Sequence, residues 1–321
     1  MILAGDTGGT KTLLALFDGG ELRRHEVFHA ADHHSVEELL DLFVKGETIE
    51  AACFGVAGPV VDGTAKITNL PWTIAASSLS ARLRGVPVRL INDLQATALG
   101  VLALPDSAFE VLQTPAAPPA KGATIGVIAP GTGLGEAVLA HDGKRYRPLP
   151  SEAGHADLAP STDEEIELLK FLRARHGGHV SWERVLCGDG IGALYDFART
   201  RLGTLEPAWE LADRNAAISG AALAGTDPAA VRALELFAAL LGAEAGNLAL
   251  RAMAAGGIAI GGGIPPKVLP ALRRGALLER FTAKGRFAPW LKTVGLRVVL
   301  EPRAALFGAA REAATLIEDH P

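Results

Sequence analysis

The chain has 321 residues and a mass of 33.3 kDa, and at roughly 150 residues per domain this length predicts two domains. Hydrophobic residues make up 49% and charged residues 21%, which excludes a globally disordered chain, because such chains are poor in apolar residues and highly charged. The net charge of -5 argues against a nucleic-acid partner, since binders of a generic polyanion are normally basic. A small anionic ligand remains compatible with it, because backbone N–H groups hold phosphate without net positive charge.

The two cysteines, Cys53 and Cys187, lie far apart and outside any CxxC pair, so we expect buried thiols in a reducing cytosol rather than a zinc cluster or disulfide framework. The first residues lack the basic and long apolar segments of a signal peptide. The uncharged run between Arg251 and Lys267 is Gly-rich and shorter than the roughly 20 residues of a membrane span. These features predict a soluble cytoplasmic protein with no membrane partner.

The first third of the chain alternates apolar strands and turns with one amphipathic helix. Ser35 and Glu38 form a capping box, and the apolar residues that follow at helical spacing predict a helix through Phe43. A chain that mixes such strands and helices predicts α/β layers. The predicted strands are 2–4, 13–17, 22–28, 51–56 and 88–91.

The segment Thr114–Lys121 is rich in Pro and Ala and has no apolar periodicity, so it is the candidate domain boundary. It divides the chain into a small α/β lobe, 1–113, and a large α/β lobe, 114–303, and we expect the C-terminal helix 304–321 to pack back on the first lobe. Beyond this segment the predicted strands are 123–129, 137–140, 257–260 and 296–300. The predicted helices run from a capping box at Ser161 and Glu164 to about 175, from Asp227-Pro228 to about 253, from Pro265-Pro266 onward, and over 304–317.

Three glycine clusters each follow an apolar strand. They are Gly5-Asp6-Thr7-Gly8-Gly9-Thr10, the loop 130–135 with Gly131, Thr132 and Gly133, and Gly261-Gly262-Gly263. A glycine turn lets the backbone approach an anion, and its exposed N–H groups can cradle phosphate, although each cluster alone also fits an ordinary tight turn. The first two clusters share a strand–turn–strand–acidic turn pattern, which suggests two related lobes. Together the clusters fit a nucleotide.

Three groups of polar residues are candidates for chemistry. Asn92-Asp93 closes a buried strand, where Asp93 fits a general base and the pair equally fits a helix N-cap. Glu152 and His155 can hydrogen-bond adjacent hydroxyls of a polyol, or can belong to a solvated loop. His155 and Asp157 are too few ligands to define a metal site. Glu183 also fits a favourable acid in the first turn of a helix.

The motifs, taken in order, resemble the bacterial glucokinases of the hexokinase type, outside the ROK (repressor, open reading frame, kinase) group and within the actin-like ATPase superfamily. Two departures are Lys11 after GGT, where many of these enzymes carry Asn, and EAGH in place of EGGH. The Cys-rich zinc motif typical of ROK proteins is absent from the sequence. The matching stretches are GDTGGT at 5–10, TNLPW at 68–72, INDL at 91–94, GTGLG at 131–135, EAGH at 152–155, SWERVLCGDG at 181–190 and GGGIPPK at 261–267.

The resemblance implies two RNase H-like lobes around a central cleft and phosphorylation of the glucose 6-hydroxyl by ATP, the first step of glycolysis. The loops at 5–10 and 131–135 would hold phosphates, Asp6 would hold Mg²⁺ through water, and Gly261–Gly263 would lie near the adenosine. Asp93 would be the catalytic base, and a homodimer is expected. The implied sugar-binding residues are Asn69, Asn92, Asp93, Glu152, His155 and Glu183. A ROK-like kinase for another hexose or N-acetylhexosamine and a non-enzymatic sugar sensor remain as alternatives.

Overall fold

The computed structural model describes residues 1–67, 70–205, 207 and 213–318. Fourteen strands and eleven α-helices lie within these residues. The strands are β1 (Ile2–Thr7), β2 (Lys11–Asp18), β3 (Glu21–His29), β4 (Ala51–Val56), β5 (Val60–Val61), β6 (Thr64–Lys66), β7 (Thr73–Ala75), β8 (Val88–Asn92), β9 (Phe109–Gln113), β10 (Ile125–Pro130), β11 (Leu134–His141), β12 (Tyr146–Ser151), β13 (Ile258–Ile260) and β14 (Leu296–Val299). The helices are α1 (Val36–Phe43), α2 (Ala76–Arg82), α3 (Asp93–Gly100), α4 (Asp163–His176), α5 (Gly188–Leu202), α6 (Arg214–Ala224), α7 (Pro228–Ala252), α8 (Leu269–Leu272), α9 (Ala276–Thr282), α10 (Ala288–Leu291) and α11 (Ala304–Glu318).

The described residues form two compact units. The first contains 1–108, 146–150 and the described residues from Glu301 onward, and the second contains 109–145 and 151–300. Strand β9 pairs with β14, so residues 109–113 lie in the sheet of the second unit. The division into functional lobes at 113/114 stays a prediction.

The first unit is built on a five-stranded sheet in the order β3-β2-β1-β4-β8. Strands β1 to β3 form antiparallel pairs, whereas β1, β4 and β8 run parallel. Their carboxyl ends, at Thr7, Val56 and Asn92, therefore lie along one edge of the sheet, the edge where α/β proteins bind ligands. Helix α11 packs against α3, β1 and β4, and the strands β5-β6-β7 form a separate small sheet.

The second unit repeats this arrangement in sheet strands ordered β11-β10-β13-β14-β9. Here β10 forms an antiparallel hairpin with β11 and pairs in parallel with β13, as β1 does with β2 and β4. The topology therefore agrees with the predicted repeat, in which each lobe opens with a glycine hairpin. Both cysteines, Cys53 and Cys187, are free and buried, as predicted.

Helix α7 forms the centre of the second hydrophobic core. Among the described residues only this helix is long and apolar enough to cross a membrane, and 78% of its apolar window is buried inside the protein, as in the core helix of a globular fold. Gly242 and Gly246 let it approach α9 closely, because a Cβ at these positions would lie 2.0 Å from the Leu277 oxygen and 2.6 Å from the Phe281 oxygen. Glycine at these two positions therefore allows α7 and α9 to pack closely.

Three helices differ from the sequence predictions in their N-terminal capping or in the residue where they begin. Helix α4 is capped by Thr162, whose hydroxyl accepts from the Glu165 N–H, one residue later than the predicted Ser161–Glu164 pair. At α1, Ser35 accepts from Glu38 as predicted, but the Glu38 carboxylate accepts from the His34 N–H and not from Ser35.

The third departure follows Pro265-Pro266, where the structure has a turn over 264–268 and helix α8 starts only at Leu269. Each residue before a proline is disfavoured in the α region, so Ile264 and Pro265 both oppose helical geometry. The prolines therefore delay the helix that they were predicted to begin.

Candidate functional site

In the first unit, the predicted phosphate loop is the turn that joins β1 to β2. The Gly8 N–H donates to the Lys11 oxygen at 3.0 Å and closes the turn, and the Thr10 side chain is exposed. Thr7 is fully buried, and its hydroxyl has no hydrogen-bond partner. Gly8, Gly9 and Thr10 are thus the part of this loop that is open to a ligand.

Asp6 and Asp93 place two carboxylates near each other at the carboxyl edge of the first sheet. Asp6 lies near the end of β1, and Asp93 begins α3 directly after β8. Burial, and next the charge of Asp93, raise the pKa of Asp6 to about 6, while Lys11 acts in the opposite direction. Two mutually repelling carboxylates are a donor set that suits a hard divalent cation such as Mg²⁺. The residues present therefore fit the metal that the sequence predicts.

Asn92 fixes the start of α3 and with it the position of Asp93. Its side-chain oxygen accepts from the Leu94 N–H at 3.0 Å, and its own N–H donates to Gln95 Oε1 at 3.1 Å, which completes a capping box. Its side-chain nitrogen donates to the Gly58 oxygen at 3.3 Å. One Asp93 oxygen accepts from the Leu94 N–H at 2.8 Å. Asn92 is therefore the N-cap of α3. The hydrogen bond from the Leu94 N–H orients the carboxylate of Asp93.

In the second unit, the predicted phosphate loop after β10 contacts the predicted segment 181–190 and lies near the third glycine cluster. The Gly131 oxygen accepts from the Gly188 N–H at 2.9 Å, where α5 begins. The Leu134 N–H donates to Glu183 Oε2 at 2.9 Å. The Gly261 N–H donates to the Ile128 oxygen at 2.8 Å, so the third glycine cluster, 261–263, lies beside the strand that leads into the loop.

The predicted sugar-binding segment 152–155 also packs on this loop. Residues 153–155 form a 3-10 turn, and a Cβ at Gly154 would lie 2.1 Å from the Leu134 oxygen. His155 Nδ1 lies 3.9 Å from Glu183 Oε1, and the Glu152 side chain is exposed. The structure therefore brings His155, Glu183 and the phosphate loop together within one unit.

The weak metal pattern of His155 and Asp157 does not form a site. The Asp157 carboxylate instead lies 2.9 Å from His179 Nδ1, and the Asp157 backbone forms an isolated β-bridge with Ser181. Across 1–67, 70–205, 207 and 213–318, no group of three or more His, Cys, Asp or Glu side chains could hold a metal ion.

A cavity of about 390 Å³ opens beside the phosphate loop of the second unit. It begins at Thr132 and Glu183 and extends to the end of α4 and to the starts of α5 and α6. Burial, and next the charges of Arg184 and Arg175, lower the pKa of His176, as expected in a cationic environment. The lining residues are Thr132, Arg175, His176, Glu183, Arg184, Cys187, Asp189, Gly190, Gly192, Ala193, Arg214 and Asn215.

Sequence reasoning missed the cationic wall of this cavity. Arg175 and Arg214 both contact Asp196, at 2.7 and 2.6 Å, and Asn215 donates to Asp189 at 3.4 Å. The available signal was the GDG sequence at the start of α5, because a helix N-terminus can hold an anion. Of the predicted site residues, Asn69 lies outside the described residues.

Comparison with known proteins identifies the family. A family model described as Glucokinase matches residues 3–316. The glucokinase of Nostoc punctiforme (strain ATCC 29133 / PCC 73102) is 39% identical over 342 residues, covering 98% of this chain and 99% of that protein. The crystal structure of a glucokinase from an Antarctic psychrotroph superposes with a TM-score of 0.87 at 31% identity and covers 98% of both chains.

A more distant structure has the same fold. A ROK family glucokinase from Streptomyces griseus, solved in complex with glucose and AMPPNP, superposes with a TM-score of 0.67 at 22% identity, covering 98% of this chain and 99% of that one. The fold and the glycine hairpins therefore define a sugar kinase of the actin-like ATPase class. Since the family model and the Nostoc relative span nearly the whole chain, the chain belongs to the glucokinase family.

Proposed function

We propose that this enzyme transfers the γ-phosphoryl group of ATP to the 6-hydroxyl of glucose, giving glucose 6-phosphate in the first step of glycolysis. Membership of the glucokinase family is the observation that carries this proposal. The placement of Asp93 beside Asp6, at the sheet edge where ligands bind, supports the same chemistry. The alternatives, a kinase for another hexose or N-acetylhexosamine and a non-enzymatic sensor, are not favoured by these relatives.

Asp93 is the proposed general base. It accepts the proton of the sugar hydroxyl as that oxygen attacks the terminal phosphorus. Such a base typically contributes about 10²–10⁴-fold to the rate. The hydrogen bond from the Leu94 N–H to one Asp93 oxygen fixes the direction of the carboxylate before substrate arrives, so little reorganisation remains for the reaction itself.

The proposed sugar ligands orient the acceptor hydroxyl. In the first unit these are Asn92 and Asp93, and the prediction for Asn69 is kept. In the second unit they are Glu152, His155 and Glu183. Carboxylates and imidazole can each hydrogen-bond a hydroxyl, and phosphoryl transfer depends mainly on such positioning and on charge neutralisation.

The glycine loops are the proposed phosphate-binding elements. In the stretches from Gly5 to Thr10 and from Gly131 to Gly133, the proposed donors are the backbone N–H groups of Gly9, Thr10, Thr132 and Gly133, because the Gly8 and Gly131 N–H groups already donate to backbone oxygens. Lys11 adds a cation next to the first turn. Asp6 would hold Mg²⁺ through water, where the ion would neutralise charge on the phosphates. Gly261–Gly263 are proposed to lie near the adenosine.

The cavity beside Thr132 is the proposed location of part of the nucleotide. It begins at the phosphate loop and is lined by Arg175, Arg184 and Arg214, which suit an anionic ligand. The N-terminus of α5 adds a partial positive charge on the same side. We also propose that the enzyme is cytoplasmic and homodimeric.

An ADP-release assay with ATP and a panel of sugars tests this function. We expect ADP production with glucose to exceed that with mannose or N-acetylglucosamine. Binding of glucose without ADP production from any sugar would identify a sensor instead. We expect Asp93→Asn to lower kcat by about 10²–10⁴-fold while the KM for glucose changes only a few-fold. Asp41→Asn, at an exposed aspartate paired with Arg82, is the matched control. An Asp93→Asn enzyme that keeps more than half the wild-type rate would remove Asp93 from the mechanism.

A further inference from the structure

The Glu183 carboxylate contacts both predicted binding segments of the second unit. Its Oε2 accepts the Leu134 N–H at 2.9 Å, within the phosphate loop. Its Oε1 lies 3.9 Å from His155 Nδ1, in the sugar-binding segment. The side chain is about 29% exposed, so it is held by the protein and still open to a ligand.

Gly133 shows how closely this carboxylate lies on the phosphate loop. A Cβ added at Gly133 would lie 2.5 Å from Glu183 Oε2, a distance that real Cβ atoms do not reach. Glycine at this position therefore leaves the space that the carboxylate occupies. Because the clashing atom is the end of a flexible side chain, a methyl group at 133 would displace Glu183 rather than the backbone.

We infer that Glu183 is a positioning residue for the phosphate loop, through which binding of the sugar and binding of the nucleotide are coupled. This inference rests on the proposed sugar and phosphate sites. A carboxylate has about four lone-pair sites, so Glu183 can accept the Leu134 N–H and a sugar hydroxyl at the same time. A sugar that fixes the carboxylate thereby fixes the Leu134 amide and the loop. Coupling of this kind is reciprocal, so a nucleotide that orders the loop also improves the sugar site.

Two substitutions of Glu183 separate this role from that of a simple sugar ligand. Both are tested by titrating AMPPNP into the enzyme without sugar. Glu183→Gln keeps an acceptor oxygen for the Leu134 N–H, whereas Glu183→Ala removes it. We expect Glu183→Ala to weaken AMPPNP binding about tenfold, a loss typical of one hydrogen bond. Glu183→Gln should stay within about twofold of wild type, because it keeps that hydrogen bond. Both variants should lose glucose affinity.

The outcomes are distinct. If both variants bind AMPPNP as the wild type does, Glu183 is only a sugar ligand and the inference is wrong. If both weaken equally, or if Glu183→Ala binds more tightly, the negative charge and not the hydrogen bond is responsible, which also overturns it. Thermal melting of each variant shows whether it is folded before the titration is interpreted.

The reciprocal experiment measures glucose binding by calorimetry without nucleotide. Gly133→Ala should displace Glu183 and lower glucose affinity about tenfold, although residue 133 belongs to the phosphate loop. Gly220→Ala is the control, since it lies on α6, outside the proposed sites, and a Cβ there would have nothing within 4 Å. Equal glucose affinity in the Gly133→Ala and Gly220→Ala variants would refute the coupling. A wild-type enzyme that phosphorylates no sugar would instead refute the proposed function, so the two failures are distinguishable.

Discussion

Replacing Glu136 with glutamine should remove a pH-dependent loss of stability from the second unit. Glu136 on β11 and Glu244 on α7 are both fully buried, and Arg251 lies 3.3 Å from Glu136 Oε2. Glu136 Oε1 has no hydrogen-bond partner. Burial, and next the charge of Glu244, raise the pKa of Glu136 from 4.5 to about 8, with Arg251 opposing them.

The sign follows from proton binding. The folded protein keeps a proton on Glu136 that the unfolded chain releases above its ordinary pKa of 4.5. The contribution to stability is therefore complete at low pH and is lost as the pH rises from about 4.5 to about 8. A difference of one bound proton changes the free energy of unfolding by about 1.4 kcal/mol per pH unit. Because the slope falls as Glu136 begins to ionise in the folded protein near pH 8, the loss between pH 6 and pH 8 is about 2 kcal/mol.

Urea unfolding at pH 6, 7 and 8 measures this loss. Glutamine has the shape of the protonated side chain and cannot ionise, so Glu136→Gln should lack this loss of about 2 kcal/mol and should be more stable than wild type at pH 8. Glu235→Gln is the control, because Glu235 lies on α7, the helix that carries Glu244, and is partly exposed, in an ion pair with Arg232 at 2.8 Å. The reasoning is refuted if Glu136→Gln keeps the pH dependence of wild type.

Two further substitutions test the packing of the first unit and the cavity of the second. Gly308→Ala would place a Cβ 1.8 Å from the Ala96 oxygen and should lower the free energy of unfolding by about 3 kcal/mol. Gly220→Ala, at an open helix position, should raise it by about 0.5–1 kcal/mol. Urea unfolding measures both changes, and equal effects of the two substitutions would contradict the steric argument. Arg214→Gln should raise the KM for ATP several-fold and leave the KM for glucose unchanged, because Arg214 lines the proposed nucleotide cavity. Steady-state kinetics checks this, and an unchanged KM for ATP would exclude the cavity from nucleotide binding.

The sequence predicts the framework of each unit because its signals are local. Apolar strands on both sides of a glycine turn specify the hairpins β1–β2 and β10–β11, and the structure contains both. The buried strand before Asn92-Asp93 places these polar residues at a carboxyl edge of a sheet, which is where β8 ends. These predictions needed only side-chain periodicity and turn chemistry, which act over a few residues.

Local signals were insufficient where a partner is distant in the chain. The short strand β9 was not predicted, because its place beside β14 depends on an antiparallel partner almost two hundred residues later. Helix α8 starts after the prolines that were expected to begin it, since two consecutive residues before prolines oppose helical geometry. The arginines of the proposed nucleotide cavity lie at the end of α4, in the 3-10 turn 182–184 and at the start of α6, so their proximity requires these distant segments to pack together.

By itself, the amino-acid sequence determined the class of fold, the family and the chemical types at the site, because glycine turns, strand ends and ordered motifs are properties of contiguous residues. Only the tertiary structure decided that Glu183 accepts the Leu134 N–H and fills the space over Gly133. It also decided that Glu136 is buried against Glu244. A hydrogen bond or a buried charge depends on what surrounds it in space, and distant segments reach these positions only when the sheet and helices have packed.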